Sequence, residues 1–156
     1  MNPEEYLYIL ALKQCKNIGN INLKKLINHI GSAKKVWESS PKSLISISGI
    51  GKSSIQNIGN KDFIKSAEKE MTFCEKHQIN IISQDDLIYP KHLQNCDDAP
   101  VILFYKGQLT NDLNPVSIVG TRKMTAYGKH FIQDIVSELS SSKICTVSGL
   151  ALGADS

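Results

Sequence analysis

The stretch from Pro115 to Gly149 constrains the fold of this chain most, because two apolar, β-rich runs in it flank one amphipathic helix. The runs read PVSIVG and KICTVSG, and each ends in glycine. Four apolar side chains recur between them at helical spacing: Phe131, Ile135, Val136 and Leu139. Continuous apolar runs of this kind are typical of buried parallel strands. The pattern predicts a β-α-β unit whose helix extends from Thr125 to Ser140.

The loops that follow these two strands carry the chemistry of a candidate site. In doubly wound sheets, ligands bind at the carboxyl edge, so Gly120 and Gly149 are predicted to face one crevice. Arg122 offers a planar fork of donors suited to phosphate oxygens, and the Thr121 hydroxyl with free N–H groups completes an anion nest. A second glycine loop ends at Gly153. The two loops predict adjacent anion sites that suit successive phosphates of a strand.

Residues 1–78 have the pattern of an all-helical region. Within it, LISISGIGKSSIQNIGN predicts two short helices joined by Gly49, Ile50 and Gly51. This segment resembles the helix-hairpin-helix motif, in which glycines let N–H groups at a helix start approach a phosphate. Lys52 adds a full charge, and KNIGNINLKKLINHIG looks like a degraded earlier copy. The alternative is a glycine turn that only packs two helices.

Charge is segregated along the chain, although the net charge is only +3. Residues 13–65 hold ten lysines against two acids, a balance of +8, whereas residues 66–115 hold four lysines against eight acids, a balance of −4. A basic block of this kind favours a polyanionic partner. Solvated lysines on exposed helix faces are the alternative.

Three blocks of the chain resemble the DNA-processing protein A (DprA, also called Smf) family. SIVGTRKMTAYG resembles the family motif G-[ST]-R-x-x-[ST]-x-Y-G, and TVSGLALGADS resembles V-S-G-x-A-x-G-I-D, with Ala154 in place of the usual isoleucine. Between the helical region and these blocks, DDLIYPKHLQNCDDAPVILFYKG is similar to a third family stretch. The resemblance implies an α/β protein. Its all-helical SAM-like or helix-hairpin-helix domain covers residues 1–78, and linker strands with the first part of a Rossmann-like parallel sheet cover residues 79–156.

The resemblance also implies a function. Family members are expected to be cytoplasmic, to bind single-stranded DNA without sequence preference, to protect incoming strands in natural transformation and to help load the RecA recombinase. No reaction is catalysed in that scheme, and a homodimer is expected through later parts of the Rossmann domain. The implied phosphate-binding residues are Gly120, Thr121, Arg122, Lys123, Ser148, Gly149 and Gly153. The hairpin residues Gly49, Gly51 and Lys52 are an auxiliary DNA-binding candidate, while Tyr127 and Gly128 are expected to be structural, with the ring packed under the loop.

The family pattern continues beyond these motifs with a histidine and several more strands. One β-α-β unit cannot cover both faces of a parallel sheet, so we expect a truncated fragment. A related Rossmann group of nucleotide phosphoribohydrolases, which also places a Gly-Ser-Arg loop over a phosphate, is the alternative function. The P-G-G-x-G-T loop expected of those enzymes does not occur in the sequence. A third reading makes the helical domain a protein-docking module.

The sequence predicts no cofactor and no metal. Gly120 is followed by Thr121, Arg122 and Lys123, so the dinucleotide fingerprint G-x-G-x-x-G is absent. The four cysteines and four histidines are dispersed without metal-ligand spacing. No apolar run approaches the roughly 20 residues that a membrane-spanning helix needs.

Overall fold

The computed structural model describes residues 2–139 and 143–155. The chain divides into two compact units, Met1–Leu109 and Thr110–Ser156. The domain boundary that the sequence places after residue 78 stays a prediction; the compact units divide further along, because two strands pack onto the helices of the first unit. Among the described residues, no helix is long and apolar enough to span a membrane.

Up to Lys76 the described part of the first unit contains six helices, where the sequence predicts an all-helical region. They are α1 Pro3–Lys13, α2 Asn20–Ile30, α3 Ala33–Glu38, α4 Pro41–Ile45, α5 Lys52–Ile55 and α6 Lys61–Lys76. The side chains of Asn2, Ser32 and Ser40 cap α1, α3 and α4 by accepting a backbone N–H. Gly31 ends α2 in the left-handed conformation with φ 106°, which glycine adopts without strain.

The core of the first unit is built around α1, which packs against α3 and α6. Its large aliphatic side chains with at most 1% exposure are Ile9, Leu12, Leu23, Leu26, Val36 and Leu44. Val101 and Ile102, which come from the later strand region, belong to the same buried cluster. The strands of residues 80–105 therefore extend the helical core instead of forming a separate one.

These strands are β1 Asn80–Ser83 and β2 Ile102–Tyr105, which pair antiparallel with Ile81 opposite Phe104. The connector between them contains one short helix, α7 Lys91–Gln94. Tyr89 is 1% exposed there, and its hydroxyl donates a 2.7 Å hydrogen bond to the Pro100 carbonyl. This buried ring holds a polar connector in a fixed conformation.

Two hairpins in the first unit have the same backbone pattern, as the predicted duplication requires. The first runs through Asn17, Ile18 and Gly19, and the second through 49–51. Each has a left-handed first residue, with φ 65° at Asn17 and 82° at Gly49. The isoleucine of each is buried, and its final glycine is the extended residue at the start of α2 or α5. The degraded first copy thus keeps the hairpin backbone, with asparagine in the position of the first glycine.

The second unit is a β-α-β unit, as predicted. Strand β3 Asn114–Ser117 pairs in parallel with β4 Ile144–Val147, and helix α8 Ala126–Leu139 connects them. The prediction of buried strands is wrong: β3 is exposed along its whole length, and β4 is half-buried to exposed. One helix covers only part of a two-stranded sheet, so apolar composition alone does not bury it. The predicted helix end, Ser140, lies outside the described residues.

Candidate anion-binding site

The candidate site lies on two loops at the carboxyl edge of the β3–β4 pair. We call residues 118–125, after β3, the first loop and residues 148–155, after β4, the second loop. The Ala154 N–H donates to the Thr121 carbonyl at 3.2 Å. The Gly120 N–H donates to Asp155 Oδ1, also at 3.2 Å. These two hydrogen bonds hold the loops against each other.

Glycine is needed at two positions of this contact. A Cβ added at Gly120 would lie 2.5 Å from the Ala154 Cβ, a distance that real side chains do not adopt. Gly153 has φ +105°, and a Cβ there would overlap the Thr121 carbonyl oxygen and lie 2.6 Å from the Arg122 Cα. The family resemblance implies that both glycines bind phosphate, which stays a prediction. In the structure they permit the close approach of one loop to the other.

An open groove of about 520 Å³ lies beside the first loop. It is lined by Arg122, Lys123, Met124, Thr125, Ala126, Lys129 and Gly153. All three of its cationic side chains are exposed. Within residues 2–139 and 143–155, no carboxylate lies within 4.0 Å of Arg122, Lys123 or Lys129. Three positive charges without a carboxylate partner among these residues therefore line the same groove.

The amino terminus of α8 forms one side of this groove. Thr125 caps the helix: its Oγ1 accepts the Gly128 N–H at 3.1 Å, and its carbonyl accepts the Lys129 N–H at 3.1 Å. The partial positive charge at a helix start favours anions, so the helix adds to the field of the three cations. Gly128, which is expected to be structural, lies in the first turn of α8 and donates the N–H that this cap accepts.

The predicted phosphate-binding residues divide into two groups in the structure. Arg122, Lys123 and Gly153 line the groove. The others, Gly120, Thr121, Ser148 and Gly149, are not among its lining residues, and a contact of theirs with phosphate stays a prediction. Thr121 Oγ1 accepts the Lys123 N–H at 3.2 Å, and the Ser148 hydroxyl donates to the Asp155 carbonyl at 2.8 Å. These hydroxyls therefore fix the conformation of their own loops.

Sequence reasoning missed three residues of the site. Lys129 and Thr125 line the groove, and Asp155 accepts a hydrogen bond from the Gly120 N–H. Thr125 and Lys129 could have been predicted from the sequence, because residues four apart at a predicted helix start lie on the same face of the helix. The role of Asp155 has no local signal, since it depends on the packing of one loop against another.

Two further predicted residues have clear positions. The prediction that Tyr127 packs under the loop is wrong, because its side chain is 77% exposed. The hairpin glycines Gly49 and Gly51 and the neighbouring Lys52 are also exposed. A Cβ at Gly49 would lie 3.1 Å from the Lys25 ammonium nitrogen, which places a second lysine at that hairpin. A DNA contact of these hairpin residues stays a prediction.

The chemistry of the groove is that of anion binding. Its lining has guanidinium and ammonium donors but no carboxylate, thiol or imidazole. In the part of the chain that the structure describes, no group of three or more His, Cys, Asp or Glu side chains has the arrangement of a metal site. The fold and the site together define a class of protein: a helical domain with duplicated hairpins, accompanied by a Rossmann-like β-α-β unit whose strand loops form a cationic groove.

Comparison with known proteins identifies the family. The family model of the DNA recombination-mediator protein A matches residues 80–156. Protein Smf of Synechocystis sp. is 32% identical over 164 residues, covering 99% of this chain and 40% of that protein. The DNA processing protein DprA of Bacillus subtilis is 39% identical over 97 residues, covering 61% of this chain and 33% of its own length. The chain belongs to the DprA/Smf family.

A solved structure agrees with this assignment. The X-ray structure of DNA processing protein A from Streptococcus pneumoniae matches with a TM-score of 0.64 and 25% sequence identity, over 96% of this chain and 50% of that one. The match confirms the mixed α/β fold class that the sequence predicts. The chain spans at most half the length of these three relatives.

Proposed function

We propose that this chain binds single-stranded DNA through its phosphates, without sequence preference, as part of a DNA-processing role in recombination. The observation that carries the proposal is the groove at the start of α8 with three exposed cations, Arg122, Lys123 and Lys129, none of which has a carboxylate partner among the described residues. Phosphate recognition needs charge and donors and no particular base, so such a groove fits any sequence. The names of the relatives, DNA processing proteins, support the same partner.

Arg122 is the central residue of the proposed contact. It is the single arginine of the chain, whose 18 basic residues are otherwise lysines. A guanidinium donates two parallel hydrogen bonds to one phosphate, whereas an ammonium acts as a point charge. Arg122 would therefore fix the register of the backbone, and Lys123 and Lys129 would add attraction to neighbouring phosphates. Binding rather than catalysis is proposed, with no cofactor.

The cellular role of the chain is proposed from its family. The protein would act in the cytoplasm, protect incoming single strands during natural transformation and pass them to the RecA recombinase, as a homodimer. The hairpin residues Gly49, Gly51 and Lys52 would form an auxiliary DNA contact. The lysine excess of residues 13–65, a balance of +8, supports this second surface.

Salt-dependent binding of a fluorescent oligonucleotide tests the phosphate contacts. Three contacts on single-stranded DNA predict a slope of about −2 for log K against log salt, at about 0.7 per contact. Arg122→Ala should weaken binding about 10-fold or more and flatten this slope by about 0.7. Lys143→Ala is the matched control, since this exposed lysine precedes β4 and lies at the opposite edge of the sheet. Equal losses of affinity in both variants would mean that binding depends only on the overall charge of the chain, and the proposed groove contact would be wrong.

Incubation with nucleoside monophosphates separates binding from the alternative enzyme function. We expect no release of free base at any protein concentration at which the oligonucleotide is bound. Base release that Arg122→Ala abolishes would instead assign the groove to a phosphoribohydrolase. Both ligands could bind the groove through a phosphate, so binding alone does not separate the two functions. Both assays are therefore carried out on one preparation.

A further inference from the structure

Two aromatic rings form an exposed stack in the first two turns of α8. Tyr127 is 77% exposed and Phe131 is 53% exposed. Their ring centroids are 6.2 Å apart, and the ring planes are inclined by only 20°. Residues four apart lie on one helix face, so the two nearly parallel rings lie next to each other on the same exposed side of α8. Large apolar rings in contact with each other and open to solvent are uncommon unless a partner covers them.

The stack and the cationic groove share the same helix start. Ala126 and Lys129 line the groove, and Tyr127 lies between them in the chain but points from a different sector of the helix. An α-helix with its side chains is about 10–12 Å across, so the stack lies within about that distance of the groove. A few nucleotides span this separation, since phosphates of a strand follow one another at about 3.4 Å or more.

We propose that Tyr127 and Phe131 are a stacking platform for the bases of the strand whose phosphates occupy the groove. This inference rests on the proposed function and adds base contacts to it. Every nucleobase has a flat π-face, so stacking on an aromatic ring gives affinity without sequence preference. The groove favours a nucleic acid strand over another protein as the partner. Such a strand carries both phosphates for the cations and flat bases for the exposed rings. Tyr127 is the outer ring of the platform because it is the more exposed.

A strand without bases tests the platform. The probe is a labelled oligonucleotide of mixed sequence, compared with an abasic deoxyribose-phosphate strand of equal length and charge. The full chain should bind the normal strand about 5-fold or more tightly than the abasic one, as a stacking contribution of about 1–3 kcal/mol per base requires. Tyr127→Leu should lose this preference, and Tyr127→Phe should keep it. Neither change should alter the salt slope, because the phosphate contacts remain.

The outcomes separate this inference from the proposed function. Equal binding of both strands by the parent protein would overturn the platform and leave the phosphate groove intact. Failure to bind either strand would overturn both. If Tyr127→Leu kept the preference for bases but abolished self-association in sedimentation, the rings would be a contact between two copies, and the platform would be wrong. Circular dichroism of both variants establishes that the helix persists; the exposed position of Tyr127 favours normal folding.

Discussion

Replacing Gly120 by alanine tests whether the two loops are held together by a contact that only glycine permits. The added Cβ would lie 2.5 Å from the Ala154 Cβ, and the next nearest atom, the Ala154 Cα, would be 4.0 Å away. Gly120 does not have a left-handed φ, so alanine is penalised there by overlap alone. Overpacking of a close contact costs about 1–3 kcal/mol. We expect Gly120→Ala to lower the free energy of loop opening by this amount.

A second substitution should reverse the effect, because the overlap involves a single atom. Ala154→Gly removes that atom and leaves the new methyl group at an ordinary distance from the backbone. Alone it should cost about 1 kcal/mol, since Ala154 is 8% exposed and one buried methyl group contributes about that much. The double variant should then be no less stable than Ala154→Gly. The double-mutant cycle should give a favourable coupling of about 1–3 kcal/mol.

Hydrogen exchange measures this coupling where it acts. The amides of Gly120 and Ala154 donate to Asp155 and to the Thr121 carbonyl, so their exchange reports the opening of the contact between the loops. Both amides should exchange faster in Gly120→Ala and return to the rate of Ala154→Gly in the double variant. Additive effects, with the double variant exchanging faster than either single variant, would refute the argument that the two loops meet at this pair of residues.

Three further predictions concern the loops, the groove and the first unit. Gly153→Ala should weaken oligonucleotide binding and increase exchange in the first loop, whereas Gly107→Ala, also at positive φ but with no atom within 4 Å of its added Cβ, should cost only about 1–2 kcal/mol of local backbone strain. In the same titration that is used for Arg122, Lys129→Ala should flatten the salt slope by about 0.7, and the Lys143→Ala control should not. Burial, followed by the nearby charge of Asp86, raises the pKa of Tyr6 to about 12. The neutral phenol is thus favoured in the folded state, so its contribution to stability should be lost between about pH 10 and pH 12. The loss over this range should be smaller in Tyr6→Phe than in the parent, as alkaline unfolding curves would reveal.

Much of the fold could be predicted because its signals are local. A cap residue such as Ser32 or Ser40 accepts an N–H three positions along the chain, so the signal for a helix start lies within a few residues of it. The parallel pairing of β3 with β4 follows from a helix between two apolar runs. The burial of those strands could not be predicted in this way. Burial depends on which surfaces cover a strand, and apolar composition does not specify them.

The site could be predicted only in part, for a similar reason. Arg122 and Lys123 lie in the loop after a strand that ends at the expected edge, so sequence position alone brings them to the groove. Gly120 and Gly153 are predicted to bind phosphate, and the structure shows that each of them also lets the other loop approach closely. That partner lies more than thirty residues away along the chain: Gly120 meets Ala154, and Gly153 meets Thr121. Contacts at such separation follow from packing and leave no periodic pattern.

The position of Asp155 explains how an acidic residue of the second loop coexists with a cationic groove. Its Oδ1 accepts the Gly120 N–H, and its carbonyl accepts the Ser148 hydroxyl, so hydrogen bonds hold it at the contact between the loops. An ion pair between Asp155 and Arg122 would cancel the charge on which phosphate attraction depends. Among the described residues Arg122 has no such partner, and it remains exposed. The amide of Gly120 therefore serves the groove indirectly: by engaging the carboxylate, it leaves the guanidinium available for a phosphate.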